Sequence, residues 1–347
     1  MKKYLPLLAA FLLCQSCKKS NEDPPIVKTP ETISTEHEIL VSGPNLLSNH
    51  TGIQGDVNYN LLGYGYDVTG KYADTSAVRN SVIDIATFAV DNPQRIMSFQ
   101  AVQSSFDVIS ANNAVELSHQ LSSSLEATSG FNFFKATITS AFPDQDALSK
   151  KYVYTYYSII ARQKMIRTFE GADRLGQYST PAFKQDIQVL SASDLVKKYG
   201  THILSGIYTG NRFNILYQGE MKNDNNRTKA AQTGFIFTLT KVFHLFSGSL
   251  DPINLSNLEN LKASKVFCEV RGGDPKRIKI DKTTKIPTID IQDWASNFTE
   301  KQTMFVEIDQ KNGLIPLYEF ISDPSKQAEV KDYITSYLSN NQVKLTN

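Results

Sequence analysis

LVKKYGTHILSGIYTGNRFNILYQ, residues 195–218, is the stretch on which the reading of this chain turns. Its first part closes like a helix. Lys197 and Lys198 suit the negative end of the helix dipole, and Gly200 can take a left-handed stop. Beyond it, Ile207, Phe213, Ile215 and Tyr217 make a β-rich run that Gly206 and Gly210 are expected to break. Tyr199-Gly200-Thr201-His202 joins the two halves. Taken alone, those four residues also fit a simple helix end with a buried histidine. Their neighbours decide between the readings.

Just upstream, PAFKQDIQVLSASDLVKKYG is helical in pattern, with Ser191 or Ser193 as its cap. KYVYTYYSIIARQKMIRTF, residues 151–169, is a long aromatic and β-branched run suited to a central strand. SVIDIATFAV and IMSFQAVQSSFDVIS are also strand-like. NLLGYGYDVTGKYAD carries Gly63, Gly65 and Gly70. VFCEVRGGD reads as a strand ending at Gly272-Gly273, and IPLYEFISDPSKQAEVKDYITSYL ends in a plausible terminal helix.

Composition bounds the rest. The 347 residues can bury a substantial core, and 36 basic against 35 acidic residues leave a net charge of +1. That balance gives neither a nucleic-acid footprint nor a polybasic membrane anchor. Sixteen Tyr and nineteen Phe favour β-structure.

The N-terminus, MKKYLPLLAAFLLCQSCKKSNEDPP, has a basic start at Lys2 and Lys3 and a short apolar core from Leu5 to Leu13. That core is too short to span a bilayer as a helix. Ser16-Cys17 resembles a bacterial lipobox, although Cys14 stands where a leucine is usual. Cys17 is favoured over Cys14, which would follow the bulky Leu13. The expected plan is a lipoprotein signal peptide at 1–16, a lipid on Cys17, a flexible tether at 17–38 with Pro24, Pro25 and Pro30, and one domain at 39–347. After such processing only Cys268 remains, so no internal disulfide is possible. No other segment approaches about 18 consecutive apolar residues, so any membrane role falls to β-strands or to surface binding.

Several features in order resemble the membrane attack complex/perforin (MACPF) family: LGYGYD at 62–67, the strand at 151–169, Tyr199-Gly200-Thr201-His202, Gly272-Gly273, and Trp294 with IPLYEFI at 315–321. Among bacterial members the chain is most similar to the Bacteroidales secreted antimicrobial proteins. The resemblance implies an α+β fold of MACPF/cholesterol-dependent-cytolysin type: a bent, twisted four-stranded antiparallel sheet flanked by two helical clusters. It further implies that each cluster can unfurl into a membrane-crossing β-hairpin when subunits assemble in a ring.

Residues 111–150 and 220–265 occupy the positions of those clusters. Two membrane strands and a turn need roughly 25 residues, so both are long enough. As a strand, GFIFTLTKVFHLF would put Phe235, Phe237, Leu239, Phe243 and Leu245 on one face as candidate membrane-facing residues. Lys241 interrupts that face. Thr238, Thr240 and His244 lie opposite, mixed with Ile236, Val242 and Phe246, so the alternation is partial. In the first segment, Leu117, Leu121 and Leu125 have helical spacing, while Phe131 and Phe133 have strand spacing. For the resting state the expectation is an amphipathic helix in each. Gly272 and Gly273 are a candidate hinge or a simple turn.

Enzymatic motifs fail. Gly65 to Lys71 matches GxxxxGK, but Tyr72 follows where a P-loop needs Ser or Thr. Gly63-Tyr64-Gly65 lacks the third glycine of a dinucleotide fingerprint. The five histidines lack metal-ligand spacing, and GxSxG does not occur. His202 is expected to set packing rather than do chemistry. No catalytic residue, metal site, cofactor or nucleic-acid partner is expected. The expected partners are further copies of the chain, a target membrane and a surface receptor. The expected location is the outer membrane as a lipoprotein, at the cell surface or released. The function this implies is an antibacterial pore-forming toxin, with a non-lytic adhesion protein as the alternative.

Overall fold

The chain enters the described structure as a short strand, β1 (Glu38–Ser42). The structure is a computed structural model that describes residues 38–42, 53, 55–245, 252–295 and 303–346. The expected signal peptide, Cys17, all but the last residue of the tether, and Phe246 lie outside the described residues. β2 (Tyr64–Tyr66) and β3 (Val78–Ser81) form an antiparallel pair. SVIDIATFAV, expected to be a strand, instead supplies helix α1 (Ile85–Asp91). Asp84 caps it by accepting the Thr87 amide at 3.1 Å, and Ile85, Phe88 and Ala89 share a buried stripe. A dense apolar run fits either period, and the capping aspartate decides for helix.

β4 (Ile96–Ala111) and β5 (Tyr152–Thr168) match the two long strand-like runs. Between them lie α2 (Ala114–Ser123) and α3 (Lys135–Thr139). α4 (Ala172–Leu175), α5 (Pro181–Val189) and α6 (Ala192–Tyr199) follow. Ser191, not Ser193, caps α6, accepting the Asp194 amide at 3.1 Å. Next come β6 (His202–Leu204), β7 (Gly206–Met221), α7 (Arg227–Lys241), α8 (Pro252–Glu259) and β8 (Leu261–Arg271). A small hairpin of β9 (Lys279–Asp281) and β10 (Thr288–Asp290) leads to α9 (Gln292–Ala295). β11 (Met304–Ile308), β12 (Leu314–Pro316) and the terminal helix α10 (Pro324–Asn341) complete the described chain.

The four long strands pair antiparallel in the order β8-β7-β5-β4. β1 lies parallel on the outer edge of β8. The outer edge of β7 is shared: β11 pairs its residues Ile207 to Gly210, and β8 pairs Arg212 to Met221. At this junction the sheet bends. Register shifts fall between Gln100 and Gln103 in β4 and between Arg162 and Lys164 in β5, and Arg162 stands opposite both Gln103 and Gly210. Such bulges kink a strand and increase its twist. Gly210 does not break β7, contrary to the expectation. It permits the bend, because a Cβ there would lie 2.1 Å from the Ala161 carbonyl oxygen.

The pleat assigns each helical cluster to its own face of the sheet. Tyr152, Tyr154 and Tyr156 of β5 share a core with Leu117, Leu121, Phe134 and Ile138 of the first cluster. The intervening Val153, with Phe213, Ile215 and Tyr217 of β7, shares a second core with Ala230, Ala231 and Phe235 of α7. The two segments therefore cover opposite faces of one sheet.

Gly210→Ala is expected to destabilise the protein by several kcal/mol, on the order of 3, because backbone rather than a flexible side chain blocks the new methyl. Gly176→Ala, with open space around its Cβ position, serves as the control. Equal unfolding midpoints for the two variants in a denaturant titration would show that the bend does not need the close approach.

Candidate functional site

The Tyr199-Gly200-Thr201-His202 run crosses LGYGYD at van der Waals range. A Cβ on Gly65 would lie 1.8 Å from the Tyr199 carbonyl oxygen, and one on Gly200 would lie 2.6 Å from the Tyr66 carbonyl carbon. Each glycine makes room for the other segment's backbone. Gly200 also adopts φ +78, ψ −165, so it ends α6 with a positive φ but outside the ordinary left-handed helical region. The Thr201 amide donates to the Tyr66 carbonyl at 3.0 Å, and its hydroxyl accepts the Val68 amide at 3.3 Å. The same hydroxyl lies 2.9 Å from His202 Nδ1. β6 then pairs with β2, setting Ile203 against Gly65 and His202 against Tyr66, in a small sheet ordered β12-β6-β2-β3. Tyr199 packs edge-to-face on Phe183 and donates to Asp186 at 2.5 Å. The run is a packing node, and its two resembling motifs are one structure.

A second feature was not singled out from the sequence. Arg212 and Asn214 of β7 stand opposite Arg271 and Glu269 of β8, where the shared edge changes partner. Lys71 pairs with Glu269 at 2.6 Å and with Asp74 at 3.3 Å, and Arg271 also pairs with Asp74. Arg212 donates to the carbonyls of Val306 at 2.6 Å and Ala73 at 2.9 Å. Burial would raise the Glu269 carboxyl, but Lys71 and Arg212 outweigh it and hold that group below its usual range. Burial pushes the Lys71 ammonium down, against the pull of Glu269. Lys71, the lysine of the GxxxxGK match, is thus engaged in this network. The available signal was charged or polar residues at alternate positions of two otherwise apolar strands, RFNILY and CEVR.

Gly272 and Gly273 follow directly, at φ +68 and +67. The Gly272 carbonyl accepts the Trp294 indole N–H at 3.1 Å, and a Cβ on Gly273 would lie 2.5 Å from that nitrogen. The pair forms a tight turn clamped by a buried tryptophan: Gly273 has no room for a side chain, and Gly272 takes a positive φ that favours glycine.

The segment at 220–265 is helical at rest, as expected, although β7 runs into it to Met221 and β8 begins at Leu261. The candidate membrane-facing residues do not share a face in this state. Phe235 and Phe243 are buried, packed on Tyr157 at 5.6 Å and on Phe213 at 5.8 Å between ring centroids. Phe237 and Leu239 are half-buried, and Leu245 is exposed. In the segment at 111–150, Leu117 and Leu121 are buried on α2 as their helical spacing predicted, whereas Leu125, also buried, lies beyond the helix in extended backbone. Phe131 stacks on Phe133 at 4.8 Å and remains exposed. Among the described residues, no helix is long and apolar enough to cross a membrane.

His202 gives the node a pH dependence. Burial pushes its imidazole down to about 4 from an ordinary value of 6.5, against the pull of Asp67. Between those values the unfolded chain takes up a proton that the folded chain refuses. Stability is therefore full above about pH 6.5 and falls toward pH 4, by at most ~3 kcal/mol. Thermal unfolding at pH 7 and pH 4.5 should show a larger drop for the wild type than for His202→Asn. Equal drops would remove His202 from the acid sensitivity.

Comparison with known proteins agrees with this geometry. The MAC/Perforin domain model matches residues 44–347. A proposed cell-invasion protein with a MAC/Perforin domain from Bacteroides thetaiotaomicron VPI-5482 superposes with a TM-score of 0.63 at 18% identity, over 83% of this chain and 63% of that one. GNIP1Aa from Chromobacterium piscinae gives a TM-score of 0.63 at 17% identity, over 85% of this chain and 58% of that one. At such identities the likeness is one of fold, and this chain spans about three-fifths of each of those proteins. No curated protein matches in sequence. The bent antiparallel sheet, the two helical clusters between its strand pairs and the match over residues 44–347 together establish that the chain belongs to the MAC/Perforin domain family.

Proposed function

We propose that this chain is a pore-forming antibacterial toxin. It assembles with copies of itself on a target membrane and converts residues 111–150 and 220–265 into membrane hairpins. The observation that carries the reading is the placement of those segments. Each joins two long antiparallel strands that are already paired with each other, and roughly 40 residues separate both Ala111 from Tyr152 and Met221 from Leu261. Extension of the existing strands needs no new topology. The clamped Gly272-Gly273 turn is the proposed hinge at the end of β8. The activity is proposed to be physical rather than enzymatic, without cofactor or metal. A surface receptor on the target cell would supply selectivity. The non-lytic alternative, adhesion through the same fold, draws on Lys241 within the candidate membrane face.

A crosslink tests the conversion. The Thr155 hydroxyl donates to the Ala231 carbonyl at 3.3 Å, so β5 and α7 pass close together there. Thr155→Cys with Ala231→Cys should form a disulfide that holds α7 on the sheet. The native Cys268 thiol is buried and pushed up to about 12, which keeps it out of exchange. Oxidised protein should bind target envelopes without releasing entrapped dye, and reductant should restore release. Full release by the verified crosslinked form would exclude refolding of α7 and favour adhesion or another mode of disruption.

Location is part of the same proposal: an outer-membrane lipoprotein anchored through Cys17, at the surface or released. Cys17→Ala should abolish labelling by a fatty-acid analogue and shift the protein from the membrane to the soluble fraction. Persistent labelling would move the site to Cys14.

A further inference from the structure

Arg227 opens α7, and its guanidinium makes four hydrogen bonds. Nε donates to the Asn112 carbonyl at 2.9 Å. Nη2 donates to the carbonyls of Lys150 at 2.5 Å and Tyr152 at 2.9 Å. Nη1 donates to the Asp224 carboxylate at 2.7 Å. Asn112 is the first residue beyond β4, and Lys150 and Tyr152 flank the start of β5. One side chain from the second segment therefore holds both ends of the first.

These carbonyls stand where the sheet would grow. Continuing the β4–β5 register past Ala111 and Tyr154 sets Asn113 against Tyr152. Continuing the β5–β7 register past Tyr152 and Glu220 sets Lys150 against Lys222. The β5–β7 ladder already has its next rung, the Met221 amide donating to the Lys151 carbonyl at 3.0 Å. The Lys150 and Tyr152 carbonyls therefore face the β4 side, and the guanidinium occupies the next rungs of the β4–β5 ladder. It borders an open cleft of about 620 Å³ lined also by Asp146, Lys151 and Lys222, so water can compete for its bonds.

Local helix physics does not favour an arginine here. It puts a positive charge at the positive end of the helix dipole. The preceding Asn226 is left-handed, at φ 50, and its side chain makes no capping bond. The first turn of α7 contains no acidic residue. A helix start this poorly supported is held by its tertiary contacts, and a local rule broken in this way points to a role elsewhere.

We propose that Arg227 is a latch coupling the release of the two segments. The β4–β5 ladder cannot extend while the guanidinium is in place, and α7 cannot leave the sheet without giving up those same bonds, so the two segments are released together. The proposal deepens the pore-forming reading and rests on it, but its test reads local opening directly and does not depend on lysis.

The test is native-state hydrogen exchange on the full chain across low denaturant concentrations. In the wild type, amides at 112–116, 151–154 and 228–232 should share one opening, with the same rate and denaturant dependence. Arg227→Lys keeps the charge but cannot reach three carbonyls at once. It should speed exchange about 10-fold at the roots of both segments, leave α10 unchanged and split the shared opening in two. Separate openings already present in the wild type would overturn the latch, and that result needs no variant to fold. Faster exchange confined to α7 in Arg227→Lys would overturn it as well. Dye release is measured in parallel. Shared opening without lysis by either protein would keep the latch and refute the pore-forming reading, whereas a shorter lag for Arg227→Lys would support both.

Discussion

The buried charge network at the sheet bend is the constraint on which the rest of the structure depends. Lys71, Asp74, Glu269, Arg271 and Arg212 bring together the loop after β2, the last turn of β8, the middle of β7 and the carbonyl of Val306 in β11. Removing such charges from water carries a penalty of several kcal/mol per ion before pairing offsets it. The network is therefore poor evidence for stability and better evidence for register. A one-residue slip of β8 along β7 would turn Glu269 and Arg271 to the opposite, apolar face, where no partner waits. The bend, the change from β11 to β8 along the edge of β7 and the Gly272-Gly273 turn are fixed together by that requirement.

The signature crossing sits apart from this network but obeys the same logic of close approach. Gly65 and Gly200 each vacate the space that the other segment's backbone fills. Thr201 then distributes its backbone groups and hydroxyl among Tyr66, Val68 and Leu317. The body above the bend is thereby pinned as a unit. The two helical clusters below it are joined to the sheet mainly through side-chain packing, which can be exchanged for other packing without cutting the frame. Under the conversion proposed above, the frame and the segments that would convert are separated along the same strands.

Much of this was legible in the sequence. Runs of β-branched and aromatic residues at 96–111 and 152–168 announced the long strands; the second is buried at the centre of the sheet, whereas the first forms its edge and leaves Phe99, Val102, Phe106 and Val108 exposed. The Tyr199-Gly200-Thr201-His202 run located the turn from helix to strand, since only glycine supports a positive φ followed by a crossing backbone. SVIDIATFAV misled, because its apolar density hides the period and a single capping aspartate settles the matter. Gly210 misled for a related reason: glycine in a strand marks either an end or a close approach, and only the neighbouring strand tells which. The charge network and Arg227 were invisible as units. Their members lie far apart in the chain, and each looks like an ordinary polar residue until the sheet brings them together.

The placement of one helical cluster on each face of the sheet has a consequence for timing. A sheet that loses one cover can still lean on the other, but a sheet that loses both is bare on two sides and has no solvent-compatible orientation in water. Under the conversion proposed above, a lone copy that opened fully would be trapped as an adhesive, misfolded species. Opening is safe only where neighbours and lipid stand ready to receive both faces. The architecture therefore favours a chain that waits closed until it is already in company, and it makes premature activation a route to self-inactivation.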